Sequence, residues 1–188
     1  MHSTIPHFTA FQTKQIFAQG ELIDIIEKMI DEQILTAHAM LFIFDNYLGK
    51  PIDLDLSGSP EQVRARYTTK NIEIKVGRPK LGVKAKEITL LQRQWDWLSS
   101  QSGNISATLR KLIDKEMNDP HSETNIQLRK QAVDRFMSNM LGDSGVYEEA
   151  SRALYRDQAQ IFYQLIEQAP IDIQQHIHAL SKYAFITE

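Results

Sequence analysis

Apolar residues at Leu22, Ile25, Ile26, Met29 and Ile30 fall at the i, i+3, i+4, i+7, i+8 spacing that lines one face of an α-helix, with Gly20 opening it. Ahead of it, Phe8 to Phe11 and Ile16 to Ala18 are short apolar stretches around the polar Gln12, Thr13, Lys14 and Gln15, a hairpin pattern. Leu41 to Phe44 is apolar on both faces and short, which predicts a central strand. Asp45, Asn46 and Gly49 then make a turn, and Ile52, Leu54 and Leu56 alternate with Asp53, Asp55 and Ser57 as a half-exposed strand. Ser59 and Pro60 suit the N-cap and first position of a short helix through Val63 and Arg66. These elements predict a small α/β domain over residues 1–67.

From residue 68 to 85 large apolar residues thin out in favour of Lys, Arg, Gly and Pro, the pattern of a basic linker. Glu87 to Leu91 reads as a strand, followed by a helix carrying Leu91, Trp95 and Leu98 on one stripe, with Trp97 far round it. Ser102 and Gly103 break that helix. Asn104 caps a second one whose apolar face is Ile105, Leu109, Leu112, Ile113 and Met117. From 119 to 188 the pattern is helical throughout. Its stripes are Val133, Phe136, Met137, Met140; Val146, Ala150, Leu154; Phe162, Leu165, Ile166; and Ile173, Ile177, Leu180, punctuated by Gly142 to Gly145, Asp157 and Pro170. The expected fold class is α+β: a small N-terminal α/β domain, a central unit over 86–118, and an all-helical C-terminal domain.

Charge changes this picture in one place. The chain carries a formal −3, yet residues 64–93 hold 9 basic against 2 acidic side chains, whereas residues 1–63 hold 3 against 9. A basic segment of this kind is where a polyanion would be held. The chain has no cysteine, which removes disulfides and thiolate chemistry. The longest apolar run, Ala39 to Phe44, is far shorter than the roughly 20 residues of a membrane helix. The expectation is a cytoplasmic protein without membrane attachment.

Motifs that would carry catalysis fail on inspection. Asp53, Asp55, Ser57 and Gly58 match the start of a calcium loop, but Arg64 stands where a bidentate Glu is needed. Gly142, Asp143, Ser144 and Gly145 resemble a serine-protease nucleophile loop but lie between two helices. His176 and His178, two apart, do not share a helix face and read as surface histidines. The expectation is therefore a non-enzyme with no cofactor and no metal.

Residues 84–117, KAKEITLLQRQWDWLSSQSGNISATLRKLIDKEM, resemble the ribbon-helix-helix family of bacterial DNA-binding proteins: strand EITLL, helix QRQWDWLSSQ, the Gly103 turn, and SATLRKLI with Ser106, Leu109, Arg110 and Ile113 at favoured places. A lone strand with two amphipathic helices cannot bury its apolar face or pair its backbone by itself, whereas two copies can. The resemblance implies a homodimer whose paired strands enter the major groove of double-stranded DNA. Ile88, Leu90, Trp95, Leu98, Leu109 and Ile113 would form the dimer core. Ala85, Glu87 and Thr89 would face the bases, and Lys84, Lys86, Asn104 and Ser106 complete the implied contact set. Just upstream, GRPK (Gly77 to Lys80) resembles the core of the AT-hook, with Val76 in place of its first Arg, so that Arg78 and Lys80 would lie in the minor groove.

The chain as a whole resembles a bacterial family catalogued as domain of unknown function 2239, through PIDLDLSGSPEQV, GRPKLGVKAKEITLLQRQWDWL and RFMSNMLGDSGVYEEASRALY. The leading expectation is a homodimeric DNA-binding transcriptional regulator, its terminal domains open to a protein or small-molecule effector. The alternative is a dimeric interaction or scaffold module that does not read DNA sequence.

Overall fold

The computed structural model describes residues 6–35, 41–68, 84 and 86–185. It divides into two compact units: one from Met1–Thr68 together with Pro120–Glu188, the other from Thr69–Asp119 between them.

The first unit is built on a four-stranded antiparallel sheet, in which β1 (Phe8–Gln12), β2 (Gln15–Gly20), β3 (Leu41–Asp45) and β4 (Lys50–Ile52) lie in the order β2-β1-β3-β4. Both predicted hairpin strands and the interior position of Leu41 to Phe44 are thus present. The half-exposed strand is shorter than its alternation implies. Leu54 and Leu56 keep the half-buried phase, with Asp53 and Asp55 exposed, but only Lys50–Ile52 pairs with β3.

The sheet is the middle layer. On one face Ala10, Phe17 and Ile43 pack against Ile25 and Met29 of α1 (Leu22–Asp31). A bulge enables this: Ala10 pairs with Ala18 but Phe11 with Ile16, so Phe17 is the extra residue, and Phe17 and Ala18 both join the α1 side. Helix α2 (Pro60–Tyr67), capped by Ser59, buries Val63 and is tied to α1 by a two-pronged Arg64–Glu27 pair at 2.6 and 2.8 Å. Those hydrogen bonds hold the Glu27 carboxyl below its ordinary range.

On the other face lie the C-terminal helices α5 (Glu123–Leu141), α6 (Val146–Tyr155), α7 (Ala159–Ile166) and α8 (Ile171–Leu180). Two further helices, α3 (Gln92–Ser100) and α4 (Ile105–Asn118), belong to the second unit. Phe11 and Phe44 of the sheet meet Phe136 of α5 at ring-centroid distances of 5.4 and 4.9 Å, all three fully buried. Where the sequence suggests separate domains over 1–67 and 119–188, the described parts of both segments share this one core. The reason is that the sheet has two apolar faces, and α1 covers only one.

His176 departs from the surface reading: it is buried between the Phe11 and Phe136 rings, with centroids 5.2 and 4.5 Å away, and its Nε2 has no hydrogen-bond partner. His178 is exposed, stacked on Tyr163. Lys130 of α5 is also buried, its Nζ 2.7 Å from Asp157, the residue that breaks α6 from α7 in a left-handed conformation (φ 57°). The edge strand β2 is partly capped, since the Ile16 amide donates to the Asp172 carboxylate of α8 at 2.7 Å and Lys28 Nζ to the Phe17 carbonyl.

The β1–β2 turn carries strain. Thr13, a β-branched residue, sits at φ 59°, where glycine is the usual occupant. Thr13→Gly is expected to raise stability by about 0.5 to 1 kcal/mol in urea unfolding, the relieved left-handed strain outweighing the added freedom of the unfolded chain.

Candidate nucleic-acid interface

The second unit contains the two predicted helices, α3 (Gln92–Ser100) and α4 (Ile105–Asn118). Helix α3 starts where Leu91 N donates to Gln94 Oε1 at 2.8 Å. It ends before Gly103, whose φ of 125° reverses the chain in a conformation that a side chain would resist. Asn104 caps α4 by accepting from Ala107 N at 2.9 Å. Cap and turn stand where the sequence puts them.

The strand expected at Glu87 to Leu91 is not formed within the single chain. Residues 86–91 carry no strand assignment, and the four strands among the described residues all lie between Phe8 and Ile52. A strand is defined by a ladder, and none of the described residues supplies one to this segment.

What the unit does have is an uncovered apolar face. No residue of α4 is buried, and in α3 only Leu98 is. Ile88, Leu91, Trp97, Leu112 and Ile113 are 50, 58, 50, 44 and 54% exposed. Leu90, Arg93, Gln94, Trp97, Leu98, Leu109 and Leu112 line an open groove of about 420 Å³. This is a large exposure of apolar side chains for the described residues of so small a unit.

Of the implied dimer-core residues, Leu90, Leu98 and Leu109 meet in this groove, while Ile88 and Ile113 are exposed and outside its lining. Trp95 is half-buried and does not line it, whereas the more exposed Trp97 does. Trp97 and Leu112 also line the groove, beyond the residues implied for the dimer core. The available signal was adjacency: Trp97 and Leu98 are about 100° apart on the helix, close enough to share a broad apolar face.

The implied DNA-contacting residues Lys84, Lys86, Glu87, Thr89, Asn104 and Ser106 are all exposed. Arg78 and Lys80, with the rest of GRPK, and Ala85 lie outside the described residues. Asp55, the centre of the rejected calcium motif, has its carboxylate engaged by Ser57 and by Arg66 at 3.4 Å. Among the described residues no helix is long and apolar enough to cross a membrane.

Residues 7–181 match the family described as "uncharacterized protein conserved in bacteria (DUF2239)". The chain belongs to this family. The match runs from β1 through α8 and across the second unit, so the sheet, the helices and the two-helix unit are parts of one inherited architecture. No curated protein and no solved structure matches the chain.

Proposed function

We infer that this member of the DUF2239 family is a homodimeric DNA-binding protein that acts as a transcriptional regulator, a binding protein and not an enzyme. The observation that carries this reading is the coincidence, in one short unit, of a segment (86–91) without strand pairing, an open apolar groove and a basic stretch adjoining in sequence. A second copy of the chain answers the first two needs together: residues 86–91 of the two copies pair antiparallel, and their helices cover the groove lined by Trp97, Leu98, Leu109 and Leu112. The paired segments form a ribbon whose width suits the major groove. On its outer face Thr89 can exchange hydrogen bonds with a base edge, and Glu87 can accept from a cytosine amine. Lys84 and Lys86, with Arg78 and Lys80 upstream, supply the phosphate and minor-groove contacts.

Sedimentation of the full chain at micromolar concentration is expected to give a dimer, and Ile88→Lys to give monomer or aggregate. A folded wild-type monomer would overturn the ribbon. For DNA, fluorescence titration against selected and scrambled duplexes is expected to give a log K against log salt slope on the order of −5 to −7, from up to about eight basic side chains per dimer. Thr89→Ala is expected to cost roughly 1 to 3 kcal/mol on the selected duplex and leave the slope unchanged. Glu87, exposed on the proposed ribbon, favours a second reading, a dimeric interaction or scaffold module, because its carboxylate repels phosphate. A dimer that binds neither duplex at about 50 mM salt decides for that module.

A further inference from the structure

The Gly142-Asp143-Ser144-Gly145 loop has no part in the reading above, yet it forms one wall of a cavity of about 410 Å³ in the sheet-containing unit. The loop is drawn tightly back on the end of α5: Ser144 donates both its amide and its hydroxyl to the Leu141 carbonyl, at 2.8 and 2.7 Å. A Cβ on Gly142 would stand 2.4 Å from the Ser138 carbonyl oxygen, so only glycine permits this path. The Ser144 hydroxyl is thus committed to the fold. The facing wall is the tip of the β1–β2 hairpin, Thr13 and Lys14, and the floor holds Phe42 and Met140.

Phe42 explains why the cavity exists. It pairs in register with Phe11 and shares its face of the sheet, but Phe11 is fully covered by the helices while Phe42 is 41% exposed. The helical layer ends short of the sheet's end, leaving an aromatic floor with polar walls. Two opposite charges line the same space, Lys14 from the hairpin and Asp143 from the loop, and neither takes part in an ion pair among the described residues. The carbonyl end of α5 adds partial negative charge on the Asp143 side. The strained Thr13 fixes the hairpin tip that carries Lys14, and backbone strain of this kind concentrates at ligand sites.

We propose that this cavity is a binding site for a small zwitterion, a free α-amino acid with an apolar side chain. Lys14 takes the carboxylate, Asp143 and the end of α5 take the ammonium group, and the side chain lies on Phe42 and Met140. The volume is in the range of small-ligand sites, about 300 to 1,000 Å³. This site stands apart from the proposed DNA-binding unit, and its test contains no DNA, so either reading can fail alone.

The test is isothermal titration of the full chain with L-phenylalanine and L-leucine, and with 3-phenylpropionate and phenethylamine, which each keep one of the two charges. Saturable binding of at least one amino acid with Kd below about 1 mM is expected, and at least tenfold weaker binding of both singly charged analogues. Lys14→Ala and Asp143→Asn, both at exposed positions, are expected to keep the wild-type circular dichroism and Tm while each weakening the amino acid about tenfold. Lys14→Ala should leave phenethylamine unaffected, and Asp143→Asn should leave 3-phenylpropionate unaffected. No saturable binding of either amino acid up to about 10 mM, analogues that bind as well as the amino acid, or amino-acid affinities unmoved in both variants would each overturn the proposal.

Discussion

Gly49→Ala is expected to destabilise the sheet-containing unit by about 3 to 5 kcal/mol, combining a non-glycine residue in the left-handed region with a steric overlap in a packed interior. Gly49 has φ 65°, and a Cβ there would stand 1.9 Å from the carbonyl oxygen of Ala132 on α5. The obstacle is backbone, so no rotamer change relieves it. Nor can the turn retreat easily. Asp45 Oδ1 accepts from the Tyr47 and Leu48 amides at 2.8 and 3.0 Å, Gly49 N donates to Asp45 O at 2.7 Å, and Arg135 of α5 donates to the Leu48 carbonyl at 3.0 Å. The β3–β4 turn is therefore a wedge through which the sheet grips α5. Gly145→Ala is the control: Gly145 lies at φ −60° with nothing within 4 Å of an added Cβ, so its effect should stay within about 0.5 kcal/mol of neutral or be slightly stabilising. Urea unfolding of both variants measures the difference, and equal losses would refute the wedge.

That contact also explains which parts of the molecule can be read from its sequence. Helix α1 is legible because Leu22, Ile25 and Met29 of its apolar stripe pack in the sheet-side core while Asp24, Lys28 and Asp31 are exposed. The caps at Ser59 and Asn104, the reversal at Gly103 and the break at Asp157 are legible because each depends on a local property of one residue. Long-range pairings are not local in this sense. Phe11 and Phe44 lie on the far side of an inserted unit from Phe136, and the basic composition after Thr68 signals a boundary without signalling that the chain returns to the same core. Lys130 and His176 illustrate the same point from the polar side. Lys130 is buried because Asp157, 27 residues on, meets its ammonium, and His176 because two phenylalanines from different layers enclose it. In the candidate interface the helices are legible and the ribbon is not realised, since its ladder partner is by hypothesis another molecule. The amino-acid cavity has no sequence signature at all. Thr13, Phe42 and Asp143 are brought together only by the end of the helical layer.

The burial of His176 makes stability fall with acid in a defined window. Its imidazole is held down to about 4 from an ordinary value of 6.5, and the cause is desolvation: the ring lies between Phe11 and Phe136, and no acceptor meets its Nε2. Above pH 6.5 the residue is neutral in the folded and unfolded chains alike, and the native state has its full stability. Below it the unfolded chain takes up a proton that the folded chain refuses, so stability falls by about 1.4 kcal/mol per pH unit until the folded imidazole also titrates near pH 4. The total is about 3 kcal/mol, a large share of the stability of an ordinary domain. Carboxylates as a class titrate over part of the same range, so the measurement is a difference. Urea unfolding of wild type and His176→Phe at several pH values is expected to give a stability gap that is constant above pH 6.5. It should shift by about 3 kcal/mol in favour of the variant between there and pH 4. In the intact wild type, the His176 ring resonances should stay in their neutral positions until the pH nears 4. A gap that does not change with pH, or a folded ring that titrates near 6.5, would show that the side chain is reached by water and that the aromatic enclosure is open.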